Sequence, residues 1–182
     1  PEAGGAGGRR EFALVAVLSG LLIGLRLGAA PLLDPDEARH ALAALEMFER
    51  GAWLEPTLNA EPYHHKLSPF YVLVGWCYRT LGVGELAARL IPALSAWLTV
   101  IAVHVFASRR GMAAGILAPL LLCACGFFVL TGRFVSFDAT FTLFLTDDIC
   151  TTLASPVEFV LFSVTVTSLP LVEATILSPT KS

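Results

Sequence analysis

Three carboxylates, a guanidinium and an imidazole are packed into Asp34-Pro35-Asp36-Glu37-Ala38-Arg39-His40, directly after a long apolar run. Acids beside hydrocarbon are costly, and where they occur they ordinarily do chemistry or bind ions. Asp36 is the candidate functional acid among the three. Arg39 offers a donor fork to an anion. A second group, Tyr63-His64-His65-Lys66, supplies two imidazoles and an ammonium. Lys66 suits a phosphate, and His65, with the nearby acids, is a candidate ligand for a divalent metal. Arg133 and Asp138 form a third charged group.

Each feature also has a plainer reading. Asp34 and Glu37 are the two ends of a helix-capping box, and Asp36 suits the dipole of the same helix start. A histidine pair at a surface is ordinarily just solvated. Arg133 anchors the end of a membrane span equally well. Asp36 is the acid that capping explains least, and its spacing from His40 puts the two on one helix face.

The elements that must carry these groups are apolar. The chain has 182 residues, 55% hydrophobic and 15% charged, with mean hydropathy +0.72. Soluble domains carry about 25% charged residues, so composition points to an integral membrane protein. A net charge of −3 excludes a broadly basic nucleic-acid binder. Cys77, Cys123, Cys125 and Cys150 lie mostly in apolar runs and read as small helix residues, neither a disulfide framework nor a zinc site.

Residues 1–11, rich in glycine and alanine, read as a disordered cytoplasmic N-terminus. The run 12–33 is long enough to span a bilayer, and Arg9-Arg10 before it holds that end in the cytoplasm. A signal peptide ending at Gly28-Ala29-Ala30 is the competing reading, and the length opposes it. A helix then starts with Asp34 as N-cap, Pro35 in first position and Glu37 in third, and stops at Gly51. Its face of Ala38, Ala41, Leu42, Leu45 and Phe48 is expected to lie on the membrane, with Asp36, Arg39, His40 and Arg50 opposite. A loop from Trp53 to Lys66 follows. Ser68 to Gly82 is too short to span and reads as interfacial or re-entrant. Further spans are expected over 86–106 and 111–130, the latter kinked at Pro119. Arg109-Arg110 between them then falls inside, and Asp138 falls on the outer side with Asp36. Were Ser68–Gly82 a span, that parity would fail. Residues 147–182 are a divergent tail without an assignment. The chain opens on proline, which reads as a fragment or processed piece.

The order of these stretches resembles a known family. Asp34 to His40, Gly51-Ala52-Trp53-Leu54-Glu55-Pro56-Thr57-Leu58-Asn59-Ala60-Glu61-Pro62-Tyr63-His64-His65-Lys66, and Leu81-Gly82-Val83-Gly84-Glu85-Leu86-Ala87-Ala88-Arg89-Leu90 are similar to the polyprenyl-phosphate-sugar-dependent membrane glycosyltransferases. These include the 4-amino-4-deoxy-L-arabinose lipid A transferases and the protein O-mannosyltransferases, of GT-C fold. The resemblance covers about 12–146. It implies an all-α polytopic membrane bundle, with an outer loop at 34–85 that carries amphipathic juxtamembrane helices. It also implies inverting sugar transfer from a polyprenyl-phosphate donor to a lipid A-like or protein acceptor, at the outer face of a bacterial inner membrane. Asp36 maps to the essential acid with Glu37 beside it, Lys66 to the donor-phosphate ligand, and Asp138 to a second outer acid. Arg39 and Arg133 are further candidates for the phosphate. The chain departs from the family's usual tyrosine at His40, and from its Phe-Glu-Lys-Pro at His64-His65-Lys66-Leu67. The missing acid at His65 leaves metal dependence open. Family members run to several hundred residues and the match fades near Asp147, so this chain is expected to be a truncated or frame-shifted N-terminal piece, inactive alone. The competing reading is a transporter, or another non-catalytic membrane protein, with Asp36, His40 and Asp138 on an ion path. Transporter acids sit mid-span beside broken helices, whereas these sit at span ends. A non-functional remnant is the third reading.

Overall fold

A computed structural model describes residues 4–32, 34–51, 55–63 and 68–150. Among them are seven helices and one short hairpin. The helices are α1 (Gly4–Gly24), α2 (Pro35–Arg50), α3 (Ser68–Leu81), α4 (Glu85–Ser108), α5 (Met112–Ala124), α6 (Gly126–Arg133) and α7 (Phe137–Cys150). Strands β1 (Thr57–Leu58) and β2 (Glu61–Pro62) pair antiparallel between α2 and α3.

The helix α4 organises the rest. Its 24 residues make a rod of about 36 Å, enough to cross about 30 Å of hydrocarbon. Its buried face is built on small side chains, with Ala87, Ala88, Ala93, Ala96 and Ala107 almost inaccessible, which lets neighbouring helices approach closely. Two cores meet along it. Ala87 and Ala88, near its N-terminus, pack with Ala44, Met47, Phe70, Tyr71 and Val74 of α2 and α3. From Ala93 onward it packs with Ile23, Leu122, Phe128 and Ala139 of α1, α5, α6 and α7. Trp97 donates from Nε1 to the Ala16 carbonyl of α1 at 2.9 Å.

The outward faces are apolar too. Leu14, Leu18, Leu98, Ile116, Leu117, Leu120 and Leu130 are exposed. A band of that kind is unfavourable in water and fits lipid. Among the described residues α4 alone is long and apolar enough to cross a membrane by itself; α5 and α6 reach that length together.

Three expected elements differ. The span over 12–33 is a helix only to Gly24, and the chain then turns, with Arg26 at φ +57. Its apolar stretch from Phe12 to Gly24 is therefore only about 20 Å long. The same helix begins at Gly4, so residues 4–11, expected to be disordered, are helical. Once nucleated in the apolar run, the helix gains one hydrogen bond per added residue through Arg9, Arg10 and Glu11. The kink expected at Pro119 lies instead at Cys125, where α5 and α6 meet at 69°. Pro119 stays inside α5. Cys125 is extended at φ −72, ψ 98, and Gly126 after it is a poor helix former. The interval expected to be a short interfacial helix is α3, fourteen residues long.

Candidate active site

The helix that carries Asp36 starts as its sequence dictates. Asp34 accepts the Asp36 N–H at 2.8 Å, Pro35 takes the first turn, and Gly51 closes the helix at φ +65, a conformation that suits glycine. The capping box is only half made. Glu37 does not reach back to the N-cap; it points inward and is almost fully buried.

There it meets Arg89. The Arg89 guanidinium donates from Nε to Glu37 Oε1 at 2.7 Å and from Nη2 to Oε2 at 2.9 Å. Its remaining donors reach the carbonyls of Leu27 at 3.0 Å, Ala30 at 2.6 Å and Pro31 at 3.0 Å. The Val135 N–H donates to Glu37 Oε1 at 3.1 Å. A methyl group on Gly28 would lie 2.9 Å from Leu86 Cβ, so glycine lets the turn after α1 close over Arg89. Both oxygens of Glu37, expected to be catalytic beside Asp36, accept these bonds.

Asp36 faces outward. Its carboxylate pairs with Arg39 at 2.6 Å, with side-chain exposures of 74% and 45%. His40, expected on the same face, turns inward: its Nδ1 lies 3.0 Å from the Tyr71 hydroxyl, beside the ring of Phe70. The inward face of α2 is therefore Glu37, His40, Ala41, Ala44 and Met47, while Ala38 and Leu42 of the expected membrane stripe are exposed. The ion pair with Arg89 and the packing on α3 set that rotation. Burial, then the neighbouring Tyr63 phenol, pushes the Tyr71 hydroxyl above its ordinary pKa, so it stays a neutral partner for the imidazole.

Asp138 lies in the first turn of α7, half-buried. The Ser136 hydroxyl donates to its Oδ2 at 2.6 Å and accepts the Asp138 N–H at 3.1 Å. Because Glu37 binds Val135, the starts of α2 and α7 lie at one end of the molecule, and Asp36 and Asp138 go with them. Arg133, expected to bind a phosphate, lies against the end of α1. It donates to the carbonyls of Leu22 at 2.9 Å, Ile23 at 3.1 Å and Leu25 at 2.9 Å, the unpaired acceptors of a helix C-terminus. His64, His65 and Lys66 lie outside the described residues. Among the described residues no cluster of histidine, cysteine and acidic side chains is arranged to hold a metal.

Arg89 is the residue whose role sequence reasoning missed, although a signal existed. An arginine within an apolar membrane run is costly unless paired and therefore calls for a partner. Glu46 was also missed. It accepts from Thr57 Oγ1 at 2.7 Å, Asn59 N at 2.7 Å and Ala60 N at 3.2 Å, and so props up a hairpin turn in which Asn59 and Ala60 both have positive φ. Burial raises the Glu46 pKa, but bonds from Thr57, Ala60 and Asn59, with Arg50 nearby, outweigh it and hold the carboxyl below its ordinary value, about 4.3. A depressed folded-state pKa contributes stability above the unfolded value and loses it as pH falls through the folded one. The protection of the Asn59 and Ala60 amides, relative to an unfolded peptide at the same pH, should therefore be high at neutral pH and fall as acid protonates Glu46. Glu46→Gln should flatten that dependence.

The apolar space is elsewhere. A groove of about 420 Å³ between α1, α4 and α5 is lined by Leu14, Leu18, Leu22, Val100, Ile116 and Leu120, and by none of the candidate site residues.

The fold has counterparts among solved structures. ArnT from Cupriavidus metallidurans bound to undecaprenyl phosphate superimposes with a TM-score of 0.69 and 28% identity, over 80% of this chain and 27% of that one. ArnT is a 4-amino-4-deoxy-L-arabinose lipid A transferase of GT-C fold. The fold is GT-C-like. The apo state of the same ArnT agrees, at TM-score 0.65 and 26% identity over the same shares. An uncharacterized protein of Aquifex aeolicus (strain VF5) is 29% identical over 139 residues, 75% of this chain and 28% of its own length. No family model matches the chain. The GT-C-like chain thus spans about a quarter of the length of the relatives it matches.

Proposed function

We propose that this GT-C-like chain is part of a membrane glycosyltransferase that moves a sugar from a polyprenyl-phosphate donor to a lipid A-like or protein acceptor. The observation that carries the reading is the match to ArnT bound to undecaprenyl phosphate, at 28% identity over 80% of the chain. The exposed acid at the start of α2 and the second acid at the start of α7 are in keeping with it.

In the proposed reaction the acceptor oxygen attacks the anomeric carbon from the face opposite the phosphate. The bond from that carbon to the phosphate oxygen breaks, polyprenyl phosphate leaves, and the configuration inverts. Asp36 takes the acceptor proton as general base. Asp138 is the second acid of the site. Lys66 holds the leaving phosphate as a point charge. Arg39 joins it by leaving Asp36, an exchange of small cost because exposed ion pairs are worth about 0–1 kcal/mol. Positive charge aimed at a departing phosphate is the main electrostatic aid such a step needs. His65 is the proposed ligand should a divalent metal take part. The site faces the outer side of a bacterial inner membrane, with Arg9-Arg10 and Arg109-Arg110 inside, in a polytopic bundle of spans.

The test is transfer itself. Membranes carrying a polypeptide that contains this chain receive a radiolabelled polyprenyl-phosphate sugar, either 4-amino-4-deoxy-L-arabinose or mannose, with lipid A or peptide as acceptor. Label is expected in the acceptor, with release of polyprenyl phosphate. No transfer, together with no retention of the donor, overturns the reading.

A further inference from the structure

We propose that Arg89 and Glu37 form a positioning clamp that sets the spacing between Asp36 and Asp138. The inference rests on the reading of those two acids as one site. Neither acid is held by the other's helix. Asp36 pairs with Arg39 within α2, and Asp138 pairs with Ser136 just before α7. The distance between them is therefore inherited from the backbones, and the backbones are joined through Glu37. This residue adjoins Asp36, and its Oε1 accepts both Arg89 Nε at 2.7 Å and Val135 N at 3.1 Å. Val135 lies three residues before Asp138. Arg89 fixes the other side by donating to the Leu27, Ala30 and Pro31 carbonyls, which lead into Asp34. One guanidinium and one carboxylate thus tie together the turn after α1, the first turn of α2, the second turn of α4 and the entry to α7.

The form of the clamp argues for precision beyond simple cohesion. The pair is almost wholly buried, with side-chain exposures of 5% and 1%. Buried ion pairs often add little stability over apolar side chains of the same volume, so cohesion alone could be had without charge. A two-pronged Arg–carboxylate contact instead fixes angle and distance together. Displacing a reacting group by about 1 Å can cost about 100-fold in rate, which is the scale on which such a clamp matters.

The experiment measures spacing directly. Nitroxide labels are placed at the exposed positions Ala38 and Phe141 of the full chain in lipid nanodiscs, with the native cysteines replaced, and their distance distribution is read by pulsed dipolar resonance. The parent should give one narrow distance. Arg89→Met should broaden or shift it. Arg89→Lys, which keeps the charge and loses the fork, should fall between. The exchange Glu37→Arg with Arg89→Glu restores opposite charges but leaves no acceptor for the Val135 N–H, and should stay broad. Variants are compared at matched helicity. A parental distribution in Arg89→Met, in Arg89→Lys or in the exchange overturns the clamp. In a polypeptide that transfers sugar, Arg89→Lys should lower kcat with the donor KM unchanged. A pair that only stabilises would shift unfolding and leave kcat per folded molecule intact. The distance is read without donor, so absent transfer counts against the proposed function, and an unchanged distance counts against the clamp.

Discussion

Asp36→Asn is expected to lower sugar transfer by about 10²–10⁴-fold, the range that a positioned general base contributes, while helix content and membrane insertion stay as in the parent. The second half follows from the geometry. Asp36 is 74% exposed and its carboxylate pairs with Arg39, itself 45% exposed. Losing an exposed pair of this kind costs about 0–1 kcal/mol. The N-cap bond to the Asp36 backbone N–H comes from Asp34 and is untouched by the change. Asparagine keeps size and hydrogen bonding but is no proton acceptor, so the variant separates chemistry from folding. Initial rates at saturating donor, normalised to inserted protein, are the measurement. Parental rates in a parentally inserted Asp36→Asn would remove Asp36 from the mechanism.

Arg89→Met has the opposite profile: a large loss of stability from a residue that touches no proposed substrate. Removing one partner of a buried ion pair leaves the other charge uncompensated, at a cost of about 3–5 kcal/mol. The Leu27, Ala30 and Pro31 carbonyls would lose a donor at the same time. Glu37→Leu combined with Arg89→Met should recover most of that loss. It should not recover all of it, because the Val135 N–H would then lack its acceptor, at about 1–3 kcal/mol for a buried polar group left unpaired. Helicity followed through a denaturing-detergent titration gives the three values. A loss in Arg89→Met of about 1 kcal/mol or less, the worth of a surface pair, would contradict the burial and bonding described for Glu37.

The two residues also mark where sequence reasoning reaches and where it stops. The limits of α2 were legible because each is set within a few residues: Asp34 and Pro35 at one end, Gly51 at the other. The extent of α4 was legible for a similar reason, since Gly84 and the Ser108-Arg109-Arg110 end bracket a continuous apolar run. What failed depended on distant partners. The true end of α1 is capped by Arg133, more than a hundred residues away in the chain. The orientation of α2 is decided by Arg89, 52 residues on, and by Tyr71. Local periodicity cannot see either, so it put His40 on the outer face with Asp36. The break at Cys125 had a weak local sign in Gly126, outweighed by the more conspicuous Pro119. Of the candidate site, the acids Asp36 and Asp138 were legible as charges at the ends of apolar runs. The link that brings their helices together was not, because Glu37 had a sufficient local explanation as half of a capping box.

In the proposed mechanism Asp36 and Asp138 must face one compartment, the outer one, where a lipid-linked sugar would meet its acceptor. Single cysteines at positions 36 and 138, in a chain otherwise free of cysteine, can be challenged in intact cells with a membrane-impermeant maleimide. Both positions are expected to label from outside, while cysteines replacing Arg10 and Arg110 label only after the membrane is opened. Labelling of position 36 from outside and of position 138 only from within would put the two acids on opposite sides of the bilayer, and no single transfer site could then contain them.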